Sequence, residues 1–257
     1  MTEPVNIYSD YDPFARVYNQ HWGNEFTPRV FPLIEQLILR QLPAGASILD
    51  LCCGTGQMAQ TLTALGYRVV GLDGSAEMLR FARENAPDAE FIHADARSFE
   101  LPETCDAVIC VFDSLNHIMT VEELTTVFRN VYAVLKDGGP FFFDLNMEPG
   151  YGLTWNDNFG IVEDDHICIV RTSYSPSERI ARFDATVMLL ENGWQRTDFA
   201  LLQKCYSAAE VLSALGTAGF GVIESYALDE RQGLTGLTEE ADRAYFLCRK
   251  SATSPAD

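Results

Sequence analysis

Apolar positions change their period repeatedly along the first half of the chain. In "TPRVFPLIEQLILRQL", Val30, Phe31, Leu33, Ile34, Leu37, Ile38 and Leu42 recur at helical spacing. "SILDL" is a short apolar run, the signature of a buried strand. "TGQMAQTLTALG" predicts a helix closed by Gly66, "YRVVGLD" a second strand, and "SAEMLRFARENA" a second helix with Ser75 as N-cap. "AEFIHAD" and "CDAVICVFD" predict strands three and four. "TVEELTTVFRNVYAVLKDGG" predicts a helix with a capping box of Thr120 and Glu123 and a glycine stop at Gly138. "PFFFDLN" predicts strand five.

Strands that alternate with helices, each a nearly unbroken apolar run, predict an α/β fold with a parallel sheet covered on both faces. Ligands in such sheets sit beyond the carboxyl ends of the strands. Acids gather there: Asp73, Asp95 and Asp113 close strands two to four, and Asp144 closes the fifth. The pattern changes after Pro149. Three strand-like runs follow, "HICIVRTSYS", "RIARFDATVMLL" and "WQRTDFALLQKCY", the last two joined by the hairpin signal "ENG". They predict an antiparallel insertion. "SAAEVLSALGTAGF" returns to helix with Ser207 and Glu210 as a capping box, and "GVIESYAL" and "RAYFLCRK" predict the last two strands. The tail "SATSPAD" is expected to be disordered.

Composition narrows the function. The 257 residues are 47% hydrophobic, enough for a sizeable core, and the net charge is -19. Phosphate backbones repel such a surface, and no Lys or Arg cluster offsets it, so no nucleic-acid partner is expected. No run is long enough to span a bilayer, and the N-terminus lacks a signal-peptide pattern. Seven Cys, an odd number without a CxxC pair, fit reduced thiols and a cytoplasmic location. Adjacent Cys52 and Cys53 are read as small core-facing residues. No His and Cys cluster has zinc-ligand spacing, and no metal is expected.

The chemistry concentrates in "ILDLCCGTGQMAQ". The glycines of "GTG" let a ligand approach bare backbone at the start of a helix. Gly54, Gly56 and Ala59 fit the dinucleotide pattern G-x-G-x-x-G/A only loosely. Asp50 tips the balance. A carboxylate beside a pyrophosphate would be repelled, whereas a ligand ammonium there would be stabilised. Asp73, ending strand two, is placed to accept from two ribose hydroxyls. Asp95 could accept from an exocyclic amine. Amine, ribose and adenine amine together describe S-adenosylmethionine (SAM). Each of these acids could instead start a turn or cap a helix.

Taken in order, "ILDLCCGTG", "VVGLDGSAEML", "FIHADARSF" and "CDAVICVFDSLNHI" resemble the class I SAM-dependent methyltransferase family. "YDPFARVYNQHW" and the late insertion resemble its small-molecule branch, which includes glycine and amino-sugar N-methyltransferases. The resemblance implies one Rossmann-like domain with a seven-stranded, mostly parallel sheet, helices on both faces and the last strand antiparallel between neighbours. Residues 1–44 would form a lid and helix, 45–147 the SAM-binding core, 150–206 an antiparallel insertion roofing the pocket, and 207–250 the last helix and strands. Residue by residue, it implies that Asp50, Gly54 and Gly56 surround the methionyl part. Asp73, with Gly74, would hold the ribose, and Met78 would pack on the adenine. Asp95 and Ala96 would read the adenine edge, and Phe112 would offer its carbonyl to the methionyl amine. Tyr11 and Tyr18 would lie in a lid over the donor. Met78 also occupies a core-facing helix position, and the two tyrosines could merely staple the N-terminal segment down.

Methyl transfer from a sulfonium needs positioning and an acceptor with a lone pair. His117, in "DSLNHI" beyond strand four, is the candidate general base, with Tyr11 a second candidate; alternatively His117 orients Asp113 or caps a turn. His21 and His166 are read as structural or surface groups, and His93 as packed within strand three. Arg171, Tyr174, Arg182 and Arg196 are candidate acceptor contacts in the insertion. The expected activity is methylation of a small molecule, at nitrogen rather than oxygen. The alternatives are a nicotinamide-dependent oxidoreductase and an inert SAM-binding module. A metal-dependent catechol-type enzyme would need Asp113 and Asp144 to face one pocket.

Overall fold

The computed structural model describes residues 10–229 and 233–251. All but Ser251 of the tail expected to be disordered, and the first nine residues, lie outside the described residues. Helices α1 (Ala15–His21) and α2 (Gly23–Leu37) lead into β1 (Ser47–Leu51). Then follow α3 (Gln57–Ala64), β2 (Arg68–Asp73), α4 (Ala76–Asn85), β3 (Glu90–His93), β4 (Ala107–Cys110), α5 (Val121–Val134) and β5 (Pro140–Asn146). The fully buried runs of β1, β4 and β5 form the parallel centre, as unbroken apolar sequence dictates. β1 lies between β2 and β4, so the chain winds outward to β3 and then returns to the other side. The crevice at this reversal, beyond the carboxyl ends of β1 and β4, is where a ligand fits such a sheet.

Both faces are covered. Leu49, Leu51, Phe141 and Phe143 pack with Leu124, Phe128 and Val131 of α5 on one side. Ile48, Val69, Ile109 and Phe142 meet Val30, Leu33 and Ile34 of α2 on the other. Ser75 accepts from the Met78 amide as the N-cap of α4. At α5 the expected box closes by one half only. Thr120 accepts from the Glu123 amide, while the Glu123 carboxylate turns to the Thr120 hydroxyl and to Arg97. This helix also ends at Val134, before Gly138, because Leu135 turns extended.

After β5 the chain forms α6 (Glu148–Thr154), then β6 (Asn158–Val162), β7 (His166–Ser175), β8 (Ile180–Leu190) and β9 (Trp194–Lys204) in a second, antiparallel sheet. The three predicted strands are joined by a fourth, β6, whose residues are mostly exposed and so carry no clear alternation. Helix α6 was hidden by its composition, "EPGYGLT". Its Gly150 is required by contact: a Cβ there would stand 2.4 Å from the Asp242 carbonyl oxygen.

Helix α7 (Ala208–Ala218) starts with the full Ser207–Glu210 capping box. β10 (Phe220–Asp229), β11 (Gly233–Gly236) and β12 (Arg243–Lys250) complete the main sheet. β12 inserts antiparallel between β5 and β10, as expected. The sheet has eight strands rather than seven, because short, glycine-bounded β11 pairs with β10 at the edge. The fold is Rossmann-like α/β with an added antiparallel sheet.

The N-terminal segment packs on that second sheet. Phe14 and Val17 join Cys168, Val170 and Val187 in a separate apolar cluster. Arg16 pairs with Asp165, Asp165 accepts from the His166 ring, and the His21 and His166 Nε2 atoms stand 2.7 Å apart. These two histidines are structural, as expected. His93 is not packed: it is exposed at the end of β3, with Nε2 3.0 Å from the Gly74 carbonyl oxygen. All seven cysteines are free thiols. Among the described residues, no helix is long and apolar enough to cross a membrane.

Candidate active site

The turn after β1 is built for close approach. Cys52, Gly54 and Gly56 take φ values of 59°, 53° and 83°. Gly54 and Gly56 need that freedom for different reasons. An added Cβ on Gly54 would face the Tyr18 ring at 3.6 Å, in the cavity, whereas one on Gly56 would stand 2.9 Å from the Ala82 Cα. Gly56 thus serves the packing of α3 on α4, while Gly54 lines the cavity. Cys52 and Cys53 both line it; Cys53 is buried, and half-buried Cys52 packs against the core as well.

Asp50 is 2% exposed, and its Oδ2 is buried without a partner. Burial, and then the neighbouring Asp73 charge, push its carboxyl up to about 7. An unpartnered carboxylate oxygen beside a glycine loop fits an incoming ammonium. Asp73 accepts from the Gly54 amide at 2.9 Å and from the Ser75 amide at 2.8 Å. Burial still raises its pKa, against those two amides. Asp95 lies two residues beyond β3, where Arg97 grips both its oxygens at 2.9 and 2.7 Å. Met78 is 2% exposed, core-facing as its helix position implied, and it also reaches the cavity wall.

The turn after β4 is strained. Phe112 and Asp113 have φ values of 72° and 48°, costly for side chains with a Cβ. The compensation is visible. Phe26 lies against Phe112 at 3.9 Å between centroids. Arg243, the first residue of β12, donates to Asp113 Oδ1 at 2.8 Å and to Asp144 Oδ2, and lies over the Phe26 ring. Gln203 of β9 donates to Asp113 Oδ2 at 2.6 Å. Burial opposes ionisation of Asp113, but Arg243 and Gln203 override it and hold its carboxyl below the usual range. Asp144, inside β5 rather than at its end, is 1% exposed with Oδ1 unpartnered, and burial raises its pKa despite Arg243. The cation between these two acids is thus a guanidinium, which fills the place a catechol-type metal would need. Among the described residues, no three His, Cys, Asp or Glu side chains are grouped to hold a metal.

His117 is wedged between halves of the molecule. Its Nδ1 is 2.8 Å from the Leu202 carbonyl oxygen of β9. A carbonyl only accepts, so Nδ1 carries the proton and Nε2 is the acceptor. The Tyr11 hydroxyl stands 2.9 Å from Nε2, and the Gln203 amide nitrogen 3.3 Å. Burial lowers the His117 pKa, with Asp113 opposing, so the ring is neutral at pH 7. Asn116 fixes the same loop by donating to the Lys204 carbonyl at 2.9 Å and accepting from the Asn146 amide at 2.9 Å.

These groups wall one cavity of about 400 Å³. Tyr11, Tyr18, Asp50, Gly54, Asp73, Gly74, Met78, Asp95, Ala96, Phe112 and His117 all line it. Sequence reasoning missed Trp22, Phe26, Trp155, Phe183, Gln203 and Arg243. For Gln203 a faint signal existed, a polar side chain two positions after Leu201 and so on the same, apolar face of the strand; the buried Arg243 gave none. Of the proposed insertion contacts, Arg182 and Arg196 pair with Asp184 and Asp198 on their own strands, and Tyr174 stacks on Tyr151.

The sequence profile of a methyltransferase domain matches residues 48–139, the strands and loops that build this wall. An uncharacterized methyltransferase of Synechocystis is 37% identical over 151 residues, spanning 52% of this chain and 70% of that protein. The chain belongs to the class I SAM-dependent methyltransferase family. Its methyl donor is SAM, and the nicotinamide alternative is set aside. A dTDP-3-amino-3,6-dideoxy-alpha-D-glucopyranose N,N-dimethyltransferase of Streptomyces fradiae is also 37% identical over 147 residues. This methyltransferase spans about half of that relative's length, and the match covers 55% of this chain. A crystal structure of a SAM-dependent methyltransferase from Clostridium acetobutylicum superposes with a TM-score of 0.76 at 20% identity, over 94% of this chain and 99% of that one.

Proposed function

We propose that this methyltransferase places the methyl group of SAM on an amine nitrogen of a small molecule. The observation that carries the reading is the sign of the charge around the cavity. Asp50, Asp73, Asp95 and Asp113 line it against only Arg97 and Arg243, each engaged by two acids. Transfer to nitrogen moves a positive charge from donor to acceptor, which anionic walls stabilise. Transfer to oxygen requires negative charge to develop on the acceptor, beside an ionised Asp113. The Streptomyces fradiae relative, an N,N-dimethyltransferase by name, agrees.

In this reading Asp50 takes the methionyl ammonium with its unpartnered oxygen. Asp73 and Gly74 hold the ribose, Asp95 and Ala96 read the adenine edge, and Met78 packs on the ring. Gly54 and the Phe112 carbonyl border the methionyl chain, and Tyr18 closes over it. SAM supplies an already activated methyl group, so the protein's work is to orient, dry and deprotonate. The Tyr11 hydroxyl relays the proton that keeps an ammonium acceptor unreactive: its oxygen takes that proton from nitrogen as its own passes to Nε2 of neutral His117. Leu202 fixes the tautomer that makes this possible. The test is production of the demethylated donor with matched amine and alcohol acceptors. Turnover with the amine alone is expected; turnover with the alcohol alone would sink the reading.

A further inference from the structure

The acceptor side of the cavity combines two features that together define a chemical class. Its walls are aromatic. Tyr11, Trp22, Phe26, Trp155 and Phe183 line it, contributed by the N-terminal segment, α2 and the insertion. Phe14 ties two of them together, 5.0 Å from Trp22 and 5.6 Å from Phe183 between centroids. Such rings offer broad apolar contact and an attractive face for a cation.

The second feature is the state of the cations. Arg97 is held by Asp95 at 2.7 Å and Glu123 at 2.9 Å, and Arg243 by Asp113 and Asp144. Further out, Arg16, Arg179, Arg182 and Arg196 pair with Asp165, Glu210, Asp184 and Asp198. The Lys204 ammonium donates to the Glu178 carbonyl, and exposed Arg171 alternates with buried Val170 onto the outer face of the sheet. Among the described residues, every guanidinium around the cavity already has a carboxylate. A diphosphate brought here would face carboxylates across a desolvated space with no cation to receive it.

Resting on the N-methyltransferase reading above, we infer that the acceptor is an amine on an apolar, aromatic-sized body without phosphate. It is thus unlike the nucleotide-linked sugar named for the Streptomyces fradiae relative. The ammonium form is drawn in by Asp113 and the ring faces, and the body fills the aromatic walls. The donor shares the same cavity of about 400 Å³, near the lower end of the range for ligand pockets, which favours a compact acceptor.

The test compares phenylethylamine with a dTDP-linked amino sugar as acceptors for the full chain with saturating SAM, following the demethylated donor. A kcat/KM at least on the order of 100-fold higher for phenylethylamine is expected, the scale on which fit to an apolar pocket discriminates. A second measurement uses Trp155→Ala. Its KM for phenylethylamine should rise about tenfold, with the affinity for the demethylated donor unchanged. Preference for the dTDP-linked sugar would overturn the inference and leave N-methylation standing. Transfer to neither amine, with SAM bound, would overturn both. An unchanged KM in Trp155→Ala would remove the aromatic wall as the recognition element.

Discussion

The two halves of the cavity are made differently. The donor half is written in one contiguous stretch, from Asp50 to Phe112. Its polar groups stand at the ends of parallel strands, and backbone conformation at Cys52, Gly54 and Phe112 shapes it. The acceptor half is assembled from segments more than two hundred residues apart, from Tyr11 to Arg243, and is mostly aromatic. Sheet geometry places the first half whatever the side chains around it. The second exists only after the N-terminal segment, α6 and β9 have packed. On the proposed placement, one half binds by hydrogen bonds at fixed positions and the other by shape and charge. Substitutions in the two halves should therefore fail in different measurements.

The largest expected effect lies where the halves meet. His117→Ala should lower turnover by about 10²–10⁴-fold, the contribution of a positioned general base, with SAM affinity little changed. In the unaltered enzyme the ascending limb of kcat/KM should fall below the ordinary histidine value of 6.5, because burial lowers this pKa. A joint loss of SAM binding and turnover would make His117 a prop for the loop. Next, Arg243→Ala should cost about 3–5 kcal/mol in denaturant unfolding, because it strands two buried carboxylates. Wild-type stability in that variant would mean that Asp113 and Asp144 are neutral without it.

Asp50→Asn separates the donor half from the fold. A carboxyl whose pKa is raised on folding binds protons more tightly in the folded chain. Stability therefore declines as pH climbs from 3.8 towards 7 and is level above that. The charge at this site costs up to about 4 kcal/mol at pH 8. The Asn variant should melt higher than wild type at pH 8, equally at pH 4, and bind SAM more weakly. A lower melting temperature at pH 8 would contradict the buried-charge account. The smallest effect is expected from Asp73→Ala, about 1–3 kcal/mol in SAM affinity with the acceptor KM unchanged. Equal loss in both would blur the line between the halves.

The same division decides what could be read from the sequence. Strand ends and glycine turns are local, so the position of Asp50, Asp73 and Asp95 on one cavity wall was legible once β1 to β3 were recognised by their apolar runs, whereas Phe112 was reached only through the family resemblance. Gly56 could not be told apart in the sequence, because packing against Ala82 and ligand approach call for the same residue type. Helix α6 and strand β6 were hidden, one by Pro and Gly and the other by exposure on nearly every residue. Arg243 was invisible for a different reason. An arginine opening a strand reads as a solvent-exposed charge, and only the pairing of β12 with β5 brings it to Asp144. His117 was found by loop position, but its tautomer depends on Leu202, 85 residues on.

One contact at the N-terminal segment has a kinetic meaning. Asp12 Oδ1 accepts from the Ser75 hydroxyl at 2.5 Å and from the Glu77 amide at 3.2 Å. Ser75 is also the N-cap of α4, and its own amide holds Asp73. The N-terminal segment is thereby clasped to the turn that holds Asp73, while Tyr11 of the same segment lines the cavity beside His117. Whatever steadies Asp73 steadies the wall. With Asp73 on the ribose as proposed, ordered kinetics are expected, with SAM entering first and the spent donor departing last. Product inhibition would display it. S-adenosylhomocysteine should compete with SAM and act noncompetitively towards the amine, and an Asp12→Ala enzyme should drift towards random order.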